Sequence, residues 1–235
     1  MKKMHITACA LAVLTITSLP SQAKDIEVKV AGTISPSGCT PTLSGDGAID
    51  YGMIKSDSLT LDAYTTLEQK KLALTITCDA PVKLALEAKN GRPNTLAGVA
   101  TEDAISGAAL SPVGGLNGSR GAPAVVGLGL SNSARIGGYA IHFGSRVGAI
   151  PITRKGEAGK WTNGNGDSGE DNFYSIGVKR QLSWMKAWGS IPEPDAIKNV
   201  TIDLKVQAYI NKASELDLTK PVILDGLTTL ELIYL

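Results

Sequence analysis

Apolar and polar residues alternate along much of this chain, and the alternation predicts strands. Lys71 to Cys78 (KLALTITC) places Leu72, Leu74, Ile76 and Cys78 on one face of an extended segment. After a turn signal at Asp79-Ala80-Pro81, VKLALEA repeats the pattern through Val82, Leu84 and Leu86. Asn199 to Ile210 carries Val200, Ile202, Leu204, Val206, Ala208 and Ile210 on one side, the cleanest amphipathic strand in the sequence. In Leu227 to Leu235 (LTTLELIYL), Leu230, Leu232 and Tyr234 fall on one face and Thr229, Glu231, Ile233 and Leu235 on the other. Shorter candidates are Val125–Leu130, Ile136–Phe143, Val147–Thr153 and Tyr174–Lys179. Many short strands divided by turn signals predict an all-β sandwich. An apolar strand at a sheet edge invites pairing by other chains, so the last strand is expected to be covered.

Two regions break the alternation. Residues 90–123 form a long insertion of small residues, expected to be partly mobile, and residues 157–172 form a polar loop with one aromatic, Trp161. Neither reads as a linker between domains, because the flanking strands must share a core. The expectation is one domain, residues 24–235, after a leader.

The leader occupies residues 1–23. Lys2 and Lys3 precede a short apolar stretch, Ile6 to Pro20, and Ser21-Gln22-Ala23 supplies a small-x-small cleavage site. This predicts a secretory signal peptide, too short and wrongly flanked for a membrane span, and no later stretch reaches spanning length. Without Lys2 and Lys3, 21 basic residues face 22 acidic ones, a net charge of −1. A near-neutral chain with interspersed signs lacks the electrostatic footprint of a nucleic-acid binder.

Export changes the meaning of the cysteines. Cys9 leaves with the leader, and Cys39 and Cys78 remain. In an oxidising compartment one disulfide is the simplest outcome, with two buried free thiols as the alternative. A zinc site needs more nitrogen and sulfur ligands than these two and His142. No metal or cofactor is expected.

Candidate chemistry is sparse. Asn163, Asn165, Asp167 and Glu170 resemble a calcium loop, but Ser168 stands where the turn glycine belongs and Tyr174 where the closing glutamate belongs. Gly127 and Gly129 lack the third glycine and the helix of a dinucleotide site. Ser145 fails the nucleophile-elbow spacing, since Phe143 precedes it by two. His142 has no acid partner in sequence and reads as structural. Trp184 and Trp188 could stack a sugar, although their spacing also fits a core contact. Asn117 and Asn199 begin glycosylation sequons. No nucleophile–base pair is visible, so no enzyme is expected.

At the first cysteine the sequence resembles a known family. KVAGTISPSGCTPTL (Lys29 to Leu43) is similar to the first strand of chaperone–usher fimbrial subunits, with Gly32, a β-branched pair and Cys39 in the expected places. The second cysteine in ALTITCDAP, AYI at Ala208 to Ile210, and the penultimate aromatic Tyr234 fit the same pattern. SGCTPTLSGDGAIDYG (Ser37 to Gly52) resembles more narrowly a family named for a domain of unknown function. That family is shared by β-class fimbrial subunits and the periplasmic protein of the glutamate synthase operon. The resemblance covers both ends and is weak from about Asn90 to Asp171.

The resemblance implies an immunoglobulin-like, pilin-type sandwich that lacks its final strand. A groove beside the C-terminal strand would be filled by strand addition, first by a periplasmic chaperone and then, at the usher, by a neighbouring subunit. Leu230, Leu232 and Tyr234 would form the acceptor edge. Ile26, Val28 and Val30, followed by Gly32, would form the donor strand. Val222 stands where such subunits carry a groove-side glycine, and Gly226 is the nearest. A fimbrial role would place the protein at the cell surface in adhesion, with any host or surface receptor left open. The family's operon-encoded member implies the other reading, a soluble periplasmic protein with a regulatory or ligand-binding role tied to nitrogen or glutamate metabolism.

Overall fold

The computed structural model describes residues 38–144, 150–164, 172–187 and 191–235. In chain order among the described residues, the strands are β1 (Cys39–Leu43), β2 (Thr65–Thr66), β3 (Lys70–Val82), β4 (Leu84–Asn90), β5 (Ala109–Leu110), β6 (Ala124–Gly127) and β7 (Leu130–Ser131). They continue as β8 (Ala134–Arg135), β9 (Gly137–Phe143), β10 (Ile150–Lys155), β11 (Thr162–Asn163), β12 (Arg180–Met185), β13 (Ile197–Ile210) and β14 (Thr228–Tyr234). The only helices among the described residues are short 3₁₀ turns.

These strands form a β-sandwich. A seven-stranded sheet runs β1-β3-β13-β9-β6-β5, with β2 added against β13, and a five-stranded sheet runs β11-β10-β12-β4-β14. All the ladders are antiparallel. The long strand β13 is central to the first sheet because its inward row, Val200 to Ile210, is buried at every second position. Each such aliphatic contributes roughly 1.5–3 kcal/mol relative to exposure. From the second sheet Leu84, Leu86, Leu182 and Trp184 pack onto the same core.

Cys39 and Cys78 are directly opposed in the β1–β3 ladder and joined in a disulfide. The bond clips β1, the outermost strand of its sheet, to the interior. It closes a loop of 39 residues, worth roughly 4 kcal/mol in the chain-entropy model.

The expected turn at Asp79-Ala80-Pro81 is absorbed into β3, and the chain changes sheets at Lys83 rather than folding into a hairpin. A register shift between Ile197 and Asn199 accommodates the extra length. The strand expected at Tyr174–Lys179 lies instead at Arg180–Met185. All six of those residues are buried, so the segment shows no alternation. Gln181 and Ser183 are satisfied there by Glu87 and the Leu84 carbonyl.

Residues 90–123 pack against the outer face of the large sheet. Leu96 and Leu116 join Val125, Ala140 and Tyr209 in a second, smaller core. The Tyr209 hydroxyl donates to the Ala97 carbonyl at 2.7 Å, and the Asn117 amide donates to the carbonyls of Ala140 and Lys205.

Candidate functional site: an open groove between two sheet edges

The five-stranded sheet does not cover all of the seven-stranded one. Beside β14 the described residues leave part of the inner face of the large sheet uncovered, and a groove of about 460 Å³ results. Its floor is Leu72 and Leu74 of β3, Leu204 and Val206 of β13, and Ile141 of β9. One wall is Pro41 to Leu43 of β1, and the other runs from Leu224 to Leu230. A second cavity of about 700 Å³ continues it, sharing Ile49, Tyr51 and Leu224.

The two edges differ in their free backbone groups. Leu235 N–H donates to the Lys83 carbonyl and Gly91 N–H to the Leu227 carbonyl, so odd-numbered residues of β14 bond to β4. By antiparallel alternation, the N–H and C=O of Thr228, Leu230, Leu232 and Tyr234 point outward, away from β4. On β1, Asp79 N–H donates to the Gly38 carbonyl, which turns Cys39, Pro41 and Leu43 toward the free edge. Pro41 has no N–H to offer there, which blunts that edge as a partner. The β14 edge keeps both donors and acceptors.

The groove narrows at one end and is polar at the other. Where it narrows, Cys39 N–H donates to the Tyr234 hydroxyl at 3.0 Å. Toward the other end, the Thr228 hydroxyl lies 2.8 Å from that of Tyr139 and 3.0 Å from that of Tyr174. Burial raises both phenols, Tyr139 to about 12, so each remains a neutral O–H group. Gly226 lines the groove beside them, and a Cβ there would stand 2.8 Å from the Tyr139 ring. Gly226 rather than Val222 is therefore the glycine that keeps this wall open. Arg92 and Asp225 form a bidentate pair, both hydrogen bonds 2.7 Å, which ties the end of β4 to the segment before β14.

The structure gathers some sequence candidates and scatters others. Leu230 lines the groove, Leu232 packs on the core beside it, and Tyr234, 50% exposed, closes the narrow end. Ile26, Val28, Val30 and Gly32 lie outside the described residues, as do Ser145, Asn165, Asp167, Glu170 and Trp188. His142 is buried in β9 opposite Lys205. Trp184 is enclosed in the core with no face for a sugar, and Asn117 is buried, unlike the exposed Asn199. Gly127 ends β6 against Thr95 and Leu96, and Gly129 has a φ of 87°. Among the described residues no group of three His, Cys, Asp or Glu could hold a metal ion, and no helix is long and apolar enough to cross a membrane.

Sequence reasoning missed Tyr139 and Leu128 as groove residues and Tyr174 as a partner of Thr228 beside it. One signal was available: the inward row of β14 extends backwards through Gly226, Leu224 and Val222, before the ladder begins.

Two curated relatives span nearly the whole chain. Protein GltF of Escherichia coli (strain K12) is 25% identical over 256 residues, covering 96% of this chain and 94% of its own. Uncharacterized protein YhcF of the same organism is 24% identical over 234 residues, covering 93% and 94%. Neither name carries a catalytic activity. Residues 28–140, which include β1, β3, the disulfide and the first residues of β9, match the family described as "Protein of unknown function (DUF1120)".

Proposed function

We propose that this protein is an exported, pilin-like module that associates by strand addition, the acceptor being the free edge of β14 above the groove. The observation that carries this reading is the pairing of a groove with an apolar floor and an edge whose alternate backbone groups have no strand beside them among the described residues. Backbone hydrogen bonds to β14 would supply affinity, and inward side chains would fill the gap over Leu74, Ile141 and Leu204.

The occupant is residues 24–32 of a second copy. Ile26, Val28, Val30 and Gly32 alternate over seven residues, the length of Thr228–Tyr234. At about 3.3 Å per residue both span roughly 20 Å. Before a neighbouring subunit arrives, a periplasmic chaperone would hold the same edge, and an usher would direct the exchange. The place in a surface fimbria, the periplasmic location and the signal peptide at residues 1–23 all belong to this proposal.

The test removes residues 24–34 and measures thermal unfolding, disulfide intact, with and without a synthetic peptide of that sequence. A groove acceptor predicts a trimmed chain that the peptide stabilises. Ligand at a hundred times its Kd contributes about 2.7 kcal/mol, or roughly 5–10 °C for a domain of this size. Leu230→Glu should abolish the gain. A trimmed chain indifferent to the peptide would mean that the sandwich needs no added strand, and the proposal would fail.

A further inference from the structure

The groove is apolar along its floor but holds three hydroxyls near one end, and their proton count leaves one over. Tyr139, Tyr174 and Thr228 bring three O–H protons to two hydrogen bonds, both centred on the Thr228 oxygen. Among the described residues these hydroxyls make no other hydrogen bond. If both tyrosines donate, the Thr228 proton has no acceptor. If Thr228 donates to one tyrosine, that phenol's proton has none. Tyr139 and Tyr174 are 6% and 3% exposed, and Tyr139 and Thr228 line the groove. With both tyrosines donating, the spare proton is on the half-buried Thr228 at the groove surface, where solvent can accept it until an inserted segment displaces that water and must supply the acceptor itself.

We propose that this hydroxyl trio sets the register of the inserted strand, by demanding a hydrogen-bond acceptor at the one inward position that meets Thr228. The inference rests on the strand-addition reading and names the chemistry of the partner. It is an extended segment with an apolar inward row, broken at one place by a residue that presents a carbonyl or hydroxyl oxygen. A one-residue slip would put the outward side chains into the groove. A two-residue slip keeps the apolar row inside, so hydrophobicity alone does not forbid it. The trio does, because it rewards a single alignment.

In the chain's own N-terminal row, Gly32 has no side chain to keep its backbone away from Thr228. The other members, Ile26, Val28 and Val30, carry no acceptor in their side chains.

The experiment uses the complete exported chain and places one hydroxyl at each inward position, as Ile26→Thr, Val28→Thr, Val30→Thr and Gly32→Ser. The readout is the unfolding midpoint of the assembled protein. A hydroxyl buried without a partner should lower it by about 3–8 °C. The proposal predicts that one substitution is neutral or stabilising while the rest are destabilising. It also predicts that the tolerance disappears in both Tyr139→Phe and Thr228→Val backgrounds. Equal losses at all four positions would show that the strand is seated without a polar pin, overturning this inference alone. A tolerated position that survives both background changes would also overturn it. Indifference at every position would show that the row enters no groove, and the strand-addition reading would fall with it.

Discussion

Tyr234 and Cys39 lie 195 residues apart in sequence, yet the backbone N–H of one donates to the side-chain hydroxyl of the other at 3.0 Å. This bond joins the outermost strand of one sheet to the outermost strand of the other. It closes the sandwich at the disulfide end, and the two edges part from there toward Leu43 and Thr228. An inserted strand running the full length of β14 would have to replace it.

That bond predicts a modest effect. Tyr234→Phe keeps the ring and removes the acceptor, so stability should fall by about 0.5–1.5 kcal/mol. Thermal denaturation with the disulfide intact would register this as about 1–5 °C. An unchanged midpoint would mean that water replaces Tyr234 at no cost.

The disulfide carries a larger share. Replacing Cys39 and Cys78 together by serine should cost roughly 4 kcal/mol, from the entropy of the closed loop. The midpoint would fall by about 8–16 °C, and hydrogen exchange should become fast at the amides of β1 that bond to β3. A loss confined to a degree or two would show that β1 is held by its ladder alone.

Alkaline pH should weaken the fold through the hydroxyl trio. Burial raises Tyr139 from 10.0 to about 12, and Tyr174 also rises. Because the folded values lie above the unfolded one, the unfolded chain loses these protons first. Stability is therefore complete below pH 10 and declines as the pH climbs toward the folded values. Tyr139 alone accounts for roughly 2–3 kcal/mol between pH 10 and 12. Urea midpoints measured across that range should fall steeply, and Tyr139→Phe should flatten the slope. Equal slopes in the two proteins would remove Tyr139 from the account.

One glycine should be intolerant for a purely steric reason. A Cβ at Gly137 would overlap the backbone carbonyl oxygen of Tyr209 on the neighbouring strand β13. Neither strand can yield without breaking the ladder, so Gly137→Ala should cost more than about 2 kcal/mol and reduce the yield of folded protein. A variant with the parent's midpoint would show that β9 and β13 can separate at that point.

The groove itself was partly legible beforehand. The alternation in Leu227–Leu235 marks an edge strand with an apolar side, and the family resemblance names the residues of that edge. Gly226 was named only as the glycine nearest an expected position, and Thr228 was not legible, because a polar residue interrupts the apolar row that identifies a strand. Tyr139 and Tyr174 come from distant segments, and nothing in their local sequence points toward Thr228. The strand at Arg180–Met185 escaped for the opposite reason: with both faces covered, it has no polar face to create a period.

The sequence by itself determined the alternating strands, the all-β class and the availability of two cysteines for one bond. These follow from local chemistry, since a period of two needs only neighbouring residues and a pleated backbone. The tertiary structure alone decided that β3 and β4 enter different sheets, and that Pro41 faces the free edge of β1. It also decided that three hydroxyls meet at one end of the groove. Each of these depends on which strands pair and in what register. Pairing is settled by the burial of a shared core, and no single segment carries that information.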